Sequence, residues 1–381
     1  MRGDGQGDGE PVQAGPAWVP GVRRIAVLRA NAVGDFVLAL PALAALRRAY
    51  PEAHVTLLAR PWHAEFLRGR PSPVDEVVAL PPSLGLDAAD DPAELSALAA
   101  TMRARRLDLA LQLHGGGQHS NPLVAAFGAR VSAGLQAEGA PPLQRNLPYR
   151  VPHPEALRLL ETVALVGAPP VDIEPRLVGT AADRREAAAV LPPGAAPLLV
   201  LQPGCTDPRR AWPPERFAAV GDHFAALGAQ VVLNGTRAEA DVTRRVREAM
   251  RWPALDLGHK ELSLGGLLAL LERARLLVGN DTGTAHLARA VGLRSVTVFW
   301  IGNLLGYAPM TSARHAVAVS WRLHCPACGR YNIGFRCEHN DSFVDEVQTG
   351  QVLDQARGLW AEAAPPWADD LNPATALPSP H

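Results

Sequence analysis

Three short stretches combine a carboxylate, arginines and hydroxyls as phosphate and proton chemistry requires. RANAVGD, Arg29 to Asp35, closes an apolar run with Gly34 and then an aspartate at a helix start. Gly34 permits a tight turn or a close ligand approach. QPGCTDPRRAWPPERF, Gln202 to Phe217, carries Gly204, Thr206 and the pair Arg209 and Arg210 ahead of a helix with Pro214 in its first turn. VGNDTGTAHLARAVG, Val278 to Gly292, ends a strand in the turn Asp281, Thr282, Gly283 and restarts as a helix bearing His286. Unpaired backbone N–H groups and the positive end of a helix dipole make such a turn an anion site, with phosphate the usual occupant. Arginines beside it add charge-assisted, bidentate hydrogen bonds, and a carboxylate such as Asp35 can take a proton from a hydroxyl. The bland alternatives are that Asp35, Asp281 or Thr282 merely caps a helix and that His286 is a satisfied core residue.

The elements that must position these stretches alternate strand and helix twice over. The first series has strands near Ile25 to Leu28, Val55 to Ala59, Val74 to Leu80 and Leu109 to Leu113, with a fifth at Arg130 to Leu135. The second has strands near Leu198 to Leu201, Gln230 to Leu233, Leu255 to Leu257, Leu276 to Val278 and Ser295 to Phe299. These runs are rich in Val and Leu rather than alternating, as strands covered on both faces are. Two parallel-sheet α/β domains follow, each with its own core, joined near Val171 to Ala189. Ligands in such sheets sit beyond the carboxyl ends of the strands, where all three stretches fall. Asp35 on one domain then faces two anion-type loops on the other, which suits group transfer across an interdomain cleft.

Composition narrows the class. A chain of 381 residues, 48% hydrophobic and 20% charged, is long enough for two cores. A net charge of −1 argues against a protein that coats nucleic acid, and Lys260 is the sole lysine, which disfavours Schiff-base or Walker-type chemistry. Without an apolar run of about 18 residues there is no expected membrane span, and the start MRGDGQGDGEPVQAGP lacks the apolar centre of a secretory signal. Residues 1–20 and 364–381 read as disordered tails. Four cysteines do not make a disulfide scaffold, so a reducing cytoplasm is expected. In HCPACGRYNIGFRCEH, Cys325, Cys328 and Cys337 with His324 or His339 have the makings of a zinc site. With a single C-x2-C pair, however, unliganded thiols are favoured and no metal is expected. RPWHAEFLRGRP, Arg60 to Pro71, sets arginines around Trp62 and Phe66. That composition is compatible with an anionic membrane surface, although a solvated helix over an ordinary core is the favoured reading.

Taken in order and spacing, four segments resemble glycosyltransferase family 9, the group containing the ADP-heptose:lipopolysaccharide heptosyltransferases. They are IAVLRANAVGDFVLALPALAALRRAYP, LALQLHGGGQHS, PGCTDPRRAWPPERFAAVGDHF, and NDTGTAHLARAVG followed by VTVFW, within a span from about Arg23 to about Val352. The resemblance implies the GT-B architecture, two Rossmann-like domains facing a central cleft. The acceptor domain would be 21–175, the nucleotide-sugar donor domain 190–346, and the closing helix 347–363, crossing back to the first domain. It implies inverting transfer from an ADP-heptose-like donor to a saccharide or lipid-linked acceptor of lipopolysaccharide type. No cofactor, catalytic metal or nucleic acid is implied, and the location would be cytoplasmic, with peripheral contact at the inner face of the membrane.

Residue roles follow from the same resemblance. Asp35 matches the family's proposed base. Arg210 stands where characterised members use a lysine, keeping the charge and adding a fork. Thr282, Gly283 and the N–H groups after them would hold the diphosphate with Thr206, in a loop that also contains Gly204 and Arg209. Asp281 would shape the turn and His286 donate a hydrogen bond. Glu239 resembles the acid that reads the ribose, against an equally good reading as a first-turn helix acid. HGGGQHS would line the acceptor side, with Gly34 and with Gln112 or His114 in contact. The sequence contains no Asp-x-Asp, as expected where arginines and helix termini neutralise the phosphates. A catalytically silent nucleotide-sugar binding module and a GT-B sugar epimerase are the alternatives, and the joint presence of Asp35, Arg210 and Asp281 favours the transferase.

Overall fold

The computed structural model describes residues 17–191, 196–260 and 262–361. Its first half runs β1 (Arg24–Leu28), α1 (Val33–Ala49), β2 (His54–Ala59), α2 (Pro61–Leu67), β3 (Glu76–Ala79), α3 (Pro92–Ala104), β4 (Leu109–Gln112), α4 (Ser120–Ala126), β5 (Val131–Gln136), β6 (Arg145–Pro148) and α5 (Glu155–Ala164). The six strands form a parallel sheet in the order β3-β2-β1-β4-β5-β6. The second half runs α6 (Ala181–Val190), β7 (Leu198–Gln202), α7 (Pro214–Ala226), β8 (Gln230–Leu233), α8 (Ala240–Ala249), β9 (Ala254–Asp256), α9 (Leu264–Arg273), β10 (Ala274–Asn280), α10 (Gly283–Ala290), β11 (Ser295–Trp300), α11 (Ile301–Tyr307), β12 (His315–Ser320) and α12 (Thr349–Ala361). Its parallel sheet has the matching order β12-β11-β10-β7-β8-β9.

Each sheet reverses direction once, between β1 and β4 and between β7 and β10. At that point the connections before and after leave toward opposite edges, opening a crevice at the carboxyl ends. The loops after β7 and β10 are therefore neighbours by topology, although about 75 residues of chain separate them. β4, β7 and β11 are buried along their whole length, which explains their unbroken apolar runs.

Several expectations change. Each domain keeps a core of its own, around Leu28, Met102 and Phe127 in the first and around Trp212, Phe217 and Val298 in the second, and the two share a third. α1 packs on α10, and one apolar cluster runs from Phe36, Leu43 and Leu159 through Leu177 to Leu268, Leu271 and Leu287. Helix faces that each sheet leaves apolar cover one another across the junction. The expected linker contains a helix, α6, which starts in a Thr180–Asp183 capping box and packs on α9. The edge strands β6 and β12 were not anticipated. β6 is short, polar and ends in Pro148, a composition that only an edge tolerates. α12 lies on its own domain, against β10, β11, β12 and α7, and buries Val352, Ala356 and Leu359 there instead of crossing back. Within the expected N-terminal tail, Trp18 stacks on Tyr50 at 4.7 Å and Val19 is buried. Residues 1–16 and the expected C-terminal tail lie outside the described residues.

Candidate active site

α1 starts from Ala32, whose side chain contributes no cap, and Asp35, its third residue, turns its carboxylate back to the Ala32 N–H. Arg29, buried at the end of β1, also holds it. One Arg29 Nη donates to Asp35 Oδ1 at 3.1 Å and to the Asp35 carbonyl at 3.1 Å. The other donates to the Leu113 carbonyl at 2.6 Å and meets Glu155 Oε1 at 2.9 Å. Glu155, the first residue of α5, is also paired with Arg158. Burial raises the Asp35 pKa above its ordinary value, Arg29 opposes the rise and Glu155 adds to it. A carboxylate so placed is a stronger proton acceptor than an exposed one. Tyr307 at the end of α11 lies near enough that Asp35, after burial, raises its phenol pKa.

Glu155→Gln removes one negative neighbour of Asp35, so Asp35 should lose its proton at a lower pH. Carboxyl NMR titration measures this directly, and an unmoved Asp35 would detach Glu155 from it. Because Arg29 and Arg158 lose a buried partner, the same variant should be less stable by about 3 kcal/mol.

On the facing domain, Asp281 is buried and accepts from Arg210 Nη1 at 3.0 Å, with Asn303 on the same oxygen. Burial raises its pKa against the pull of Arg210 and Arg289. Thr282 is the N-cap of α10, yet its side chain makes no cap bond, and its buried Oγ1 has no hydrogen-bond partner in the protein. An unsatisfied hydroxyl at a helix N-terminus is a ready donor to an anion. His286 is buried, and burial followed by Arg289 and Arg210 keeps its pKa well below the usual value. Since Arg289 can only donate, its 2.6 Å bond to Nδ1 makes that nitrogen the acceptor and leaves the proton on Nε2. Nε2 stands 3.7 Å from Asp281 Oδ1.

Two glycines let the domains meet here. A Cβ on Gly34 would lie 2.8 Å from His286 Cδ2, and one on Gly283 would lie 3.2 Å from the Val33 Cβ. The amino ends of α1 and α10 thus abut, bringing Asp35 to the side of the cleft where Arg210, Asp281, Thr282 and His286 converge. Asn280 ties the loops after β7 and β10 together, donating to the Pro203 carbonyl at 2.8 Å and accepting from the Trp212 N–H at 3.0 Å.

Other expected residues lie differently. Arg209 turns away from Arg210, forking onto Asp207 at 2.7 and 3.0 Å and reaching Asn332 at 3.5 Å. Gln112 is buried and used internally, donating to Ser120 Oγ at 2.6 Å and accepting from the Leu135 N–H at 3.0 Å. His114 stays near the Asp35 cluster, its pKa lowered to about 4 by burial and then by Arg29 and Arg60, and its Nδ1 accepts from the Ala30 N–H at 3.3 Å. Thr206 is exposed at the loop tip. Glu239 closes a capping box with Thr236 at 2.8 Å, while its other oxygen lies over Gly204, where a Cβ would meet it at 2.0 Å. Both readings of Glu239 therefore remain compatible with its position.

The segment Arg60 to Pro71 does not present an apolar face. Phe66 and His63 are buried in α2, and Trp62 stacks on His63 at 3.5 Å. Arg60 donates to the Ala30 and Leu84 carbonyls, and Arg70 to the Val178 carbonyl and Asp183. Its aromatics and these two arginines serve internal contacts, which removes the basis for membrane contact at this segment. No helix among the described residues is long and apolar enough to cross a membrane.

Sequence reasoning missed Arg29, Glu155, Asn280 and Arg289 as parts of the site. Arg29 carried one signal, a charge at the end of an otherwise apolar strand. Glu155 carried none, because its partners are distant in the chain.

Two facing parallel-sheet domains with a ligand crevice at their carboxyl ends define the GT-B fold, as solved structures bear out. The chain is similar over 90% of its length to 98% of a family 9 glycosyl transferase from Veillonella parvula, with a TM-score of 0.74 at 22% identity. It is similar over 88% of its length to 98% of the ADP-heptose lps heptosyltransferase II of Escherichia coli, with a TM-score of 0.68 at 18% identity. Residues 95–332 match glycosyltransferase family 9 (heptosyltransferase), and the chain belongs to that family. Among curated proteins it is 25% identical over 116 residues to lipopolysaccharide heptosyltransferase 3 of Escherichia coli, an alignment spanning 30% of this chain and 34% of that relative.

Proposed function

We propose that this protein is an inverting glycosyltransferase that moves a sugar, heptose by preference, from a nucleoside-diphosphate donor to a saccharide acceptor of lipopolysaccharide type. The observation that carries the reading is the apposition of a partly buried, proton-accepting Asp35 on one domain with Arg210 and the α10 amino end on the other. In this reading Asp35 takes the proton of the acceptor hydroxyl as that oxygen attacks the anomeric carbon. The bond from that carbon to the diphosphate breaks on the opposite face, which inverts the centre. Charge develops on the departing diphosphate, and donors fixed in advance stabilise it: Arg210, the Thr282 hydroxyl, His286 Nε2–H and the first N–H groups of α10. Thr206, exposed in the loop that carries Arg210, is a further donor for it, and Glu239 beside Gly204 reads the ribose in this reading. The names of similar proteins support heptose and a lipopolysaccharide acceptor, since the solved relative from Escherichia coli is an ADP-heptose lps heptosyltransferase.

A thermal-shift and calorimetry panel of nucleoside diphosphates and their sugars tests the donor class. ADP and its heptose conjugate should stabilise the fold by about 2.7 kcal/mol at a hundred times Kd. No response to any nucleotide would overturn the reading. Sugar release or transfer that needs an added acceptor separates a transferase from an epimerase, and donor binding without either would leave a silent binding module.

A further inference from the structure

We propose that Cys325, Cys328, Cys337 and His339 bind one zinc ion, and that this ion fastens the segment 324–340 to the loop that carries Arg209 and Arg210. The site uses none of the groups assigned to sugar transfer, so it stands or falls independently of that reading.

The geometry is that of a four-ligand centre. The three Sγ atoms and one His339 ring nitrogen all lie within 4.8 Å of one another. A tetrahedral zinc with Zn–S near 2.3 Å and Zn–N near 2.0–2.1 Å sets its ligands about 3.5–4 Å apart, so closure asks for side-chain shifts of about 1 Å. Local structure supplies the first two ligands. The Cys325–Cys328 turn closes with Gly329 N–H on the Cys325 carbonyl at 2.9 Å and Cys325 N–H on the Arg330 carbonyl at 2.8 Å. Gly329 takes φ +69°, a conformation that favours glycine. The fold then returns Cys337 and His339 to that turn. Of the two histidines flanking the cysteines, it is His339 that joins them, while His324 pairs with Tyr331 across an isolated bridge.

Surrounding contacts resemble those that orient metal ligands. Asn332 is buried, its Nδ2 lies 3.5 Å from Cys337 Sγ and its Oδ1 accepts from the Cys337 N–H at 3.4 Å. The same Oδ1 is reached by Arg209 at 3.5 Å, and the Arg209 carbonyl accepts from the Phe343 N–H at 2.7 Å. A short chain of contacts therefore runs from Cys337 through Asn332 to Arg209 and its neighbour Arg210. Three thiolates and an imidazole suit zinc, and four protein ligands leave no open position for catalysis. Cys325 and Cys337 are buried whereas Cys328 and His339 are exposed, which gives a metal a path in from solvent.

The test uses the untagged full chain, purified under reducing conditions, with metal content measured by plasma mass spectrometry. About one zinc per chain is expected. A strong chelator should remove it, lower the melting temperature and speed amide exchange in 205–212 and 323–343, and added zinc should reverse all three. Cobalt(II) in place of zinc should show the visible bands of a tetrahedral thiolate centre. Cys328→Ser alters an exposed ligand and should fold while losing at least tenfold in zinc affinity, and Asn332→Ala should lose about 10- to 100-fold. Wild-type protein free of zinc and indifferent to added zinc overturns the proposal. So does stoichiometric iron, or a disulfide among these cysteines in the freshly purified chain.

Discussion

Asp35→Asn should keep its fold and its affinity for nucleoside diphosphate while sugar transfer falls by about 100-fold or more. Asparagine preserves the shape and one oxygen for Arg29 but cannot accept the acceptor's proton at neutral pH. Linkage predicts the stability. Burial raises the Asp35 pKa from 3.8, so the folded state holds that proton more tightly than the unfolded chain does. The stability this adds is present at low pH and is lost as pH rises through the folded pKa, which makes the ionised carboxylate a net cost at neutral pH. Asparagine relieves that cost but gives up a first-turn interaction with the helix dipole worth about 0.3–1 kcal/mol, leaving the melting temperature near that of the parent. Asp35→Ala should lose transfer alike but melt lower, because it also takes away the oxygens that face buried Arg29 and the Ala32 N–H. Turnover and melting curves on both variants decide the matter, and full turnover in the asparagine variant would falsify the catalytic assignment.

Arg210→Ala should raise the Kd for ADP by about 30- to 150-fold, or about 2–3 kcal/mol, the worth of a charge-assisted pair to phosphate. Calorimetry measures it, and unchanged affinity would move the diphosphate site elsewhere. This variant carries a second signature. Arg210 is the strongest influence holding down the raised pKa of buried Asp281, so its loss should raise that pKa further. The variant should then lose stability relative to the parent as pH rises, because the ionised Asp281 is left more poorly paired. Arg210→Lys keeps the charge without the fork, and should recover most of both effects.

The strands were legible because parallel strands covered on both faces leave unbroken Val and Leu runs that need no knowledge of the partner. The three loops were legible for a related reason: Gly34 with Asp35, Arg209 with Arg210, and Asp281 with Thr282 are local signals standing directly after such runs. Crevices at the carboxyl ends then follow from topology alone. The sequence by itself therefore determined two parallel α/β units and the residues that gather at their junction.

Only the tertiary structure decided which way those residues point and what holds them. Arg209 and Arg210 are adjacent and alike, yet a short 3-10 turn at Pro208–Arg210 sends one to Asp207 and Asn332 and the other to Asp281. Glu155 meets Arg29 because α5 packs on α1, and Gln112 is consumed by the loop it was expected to serve. The choice of His339 over His324 beside the cysteines and the apolar cluster shared across the domain junction have the same origin. Helix periodicity and turn chemistry are set within a few residues, whereas side-chain direction and pairing between distant segments exist only once the chain has closed on itself.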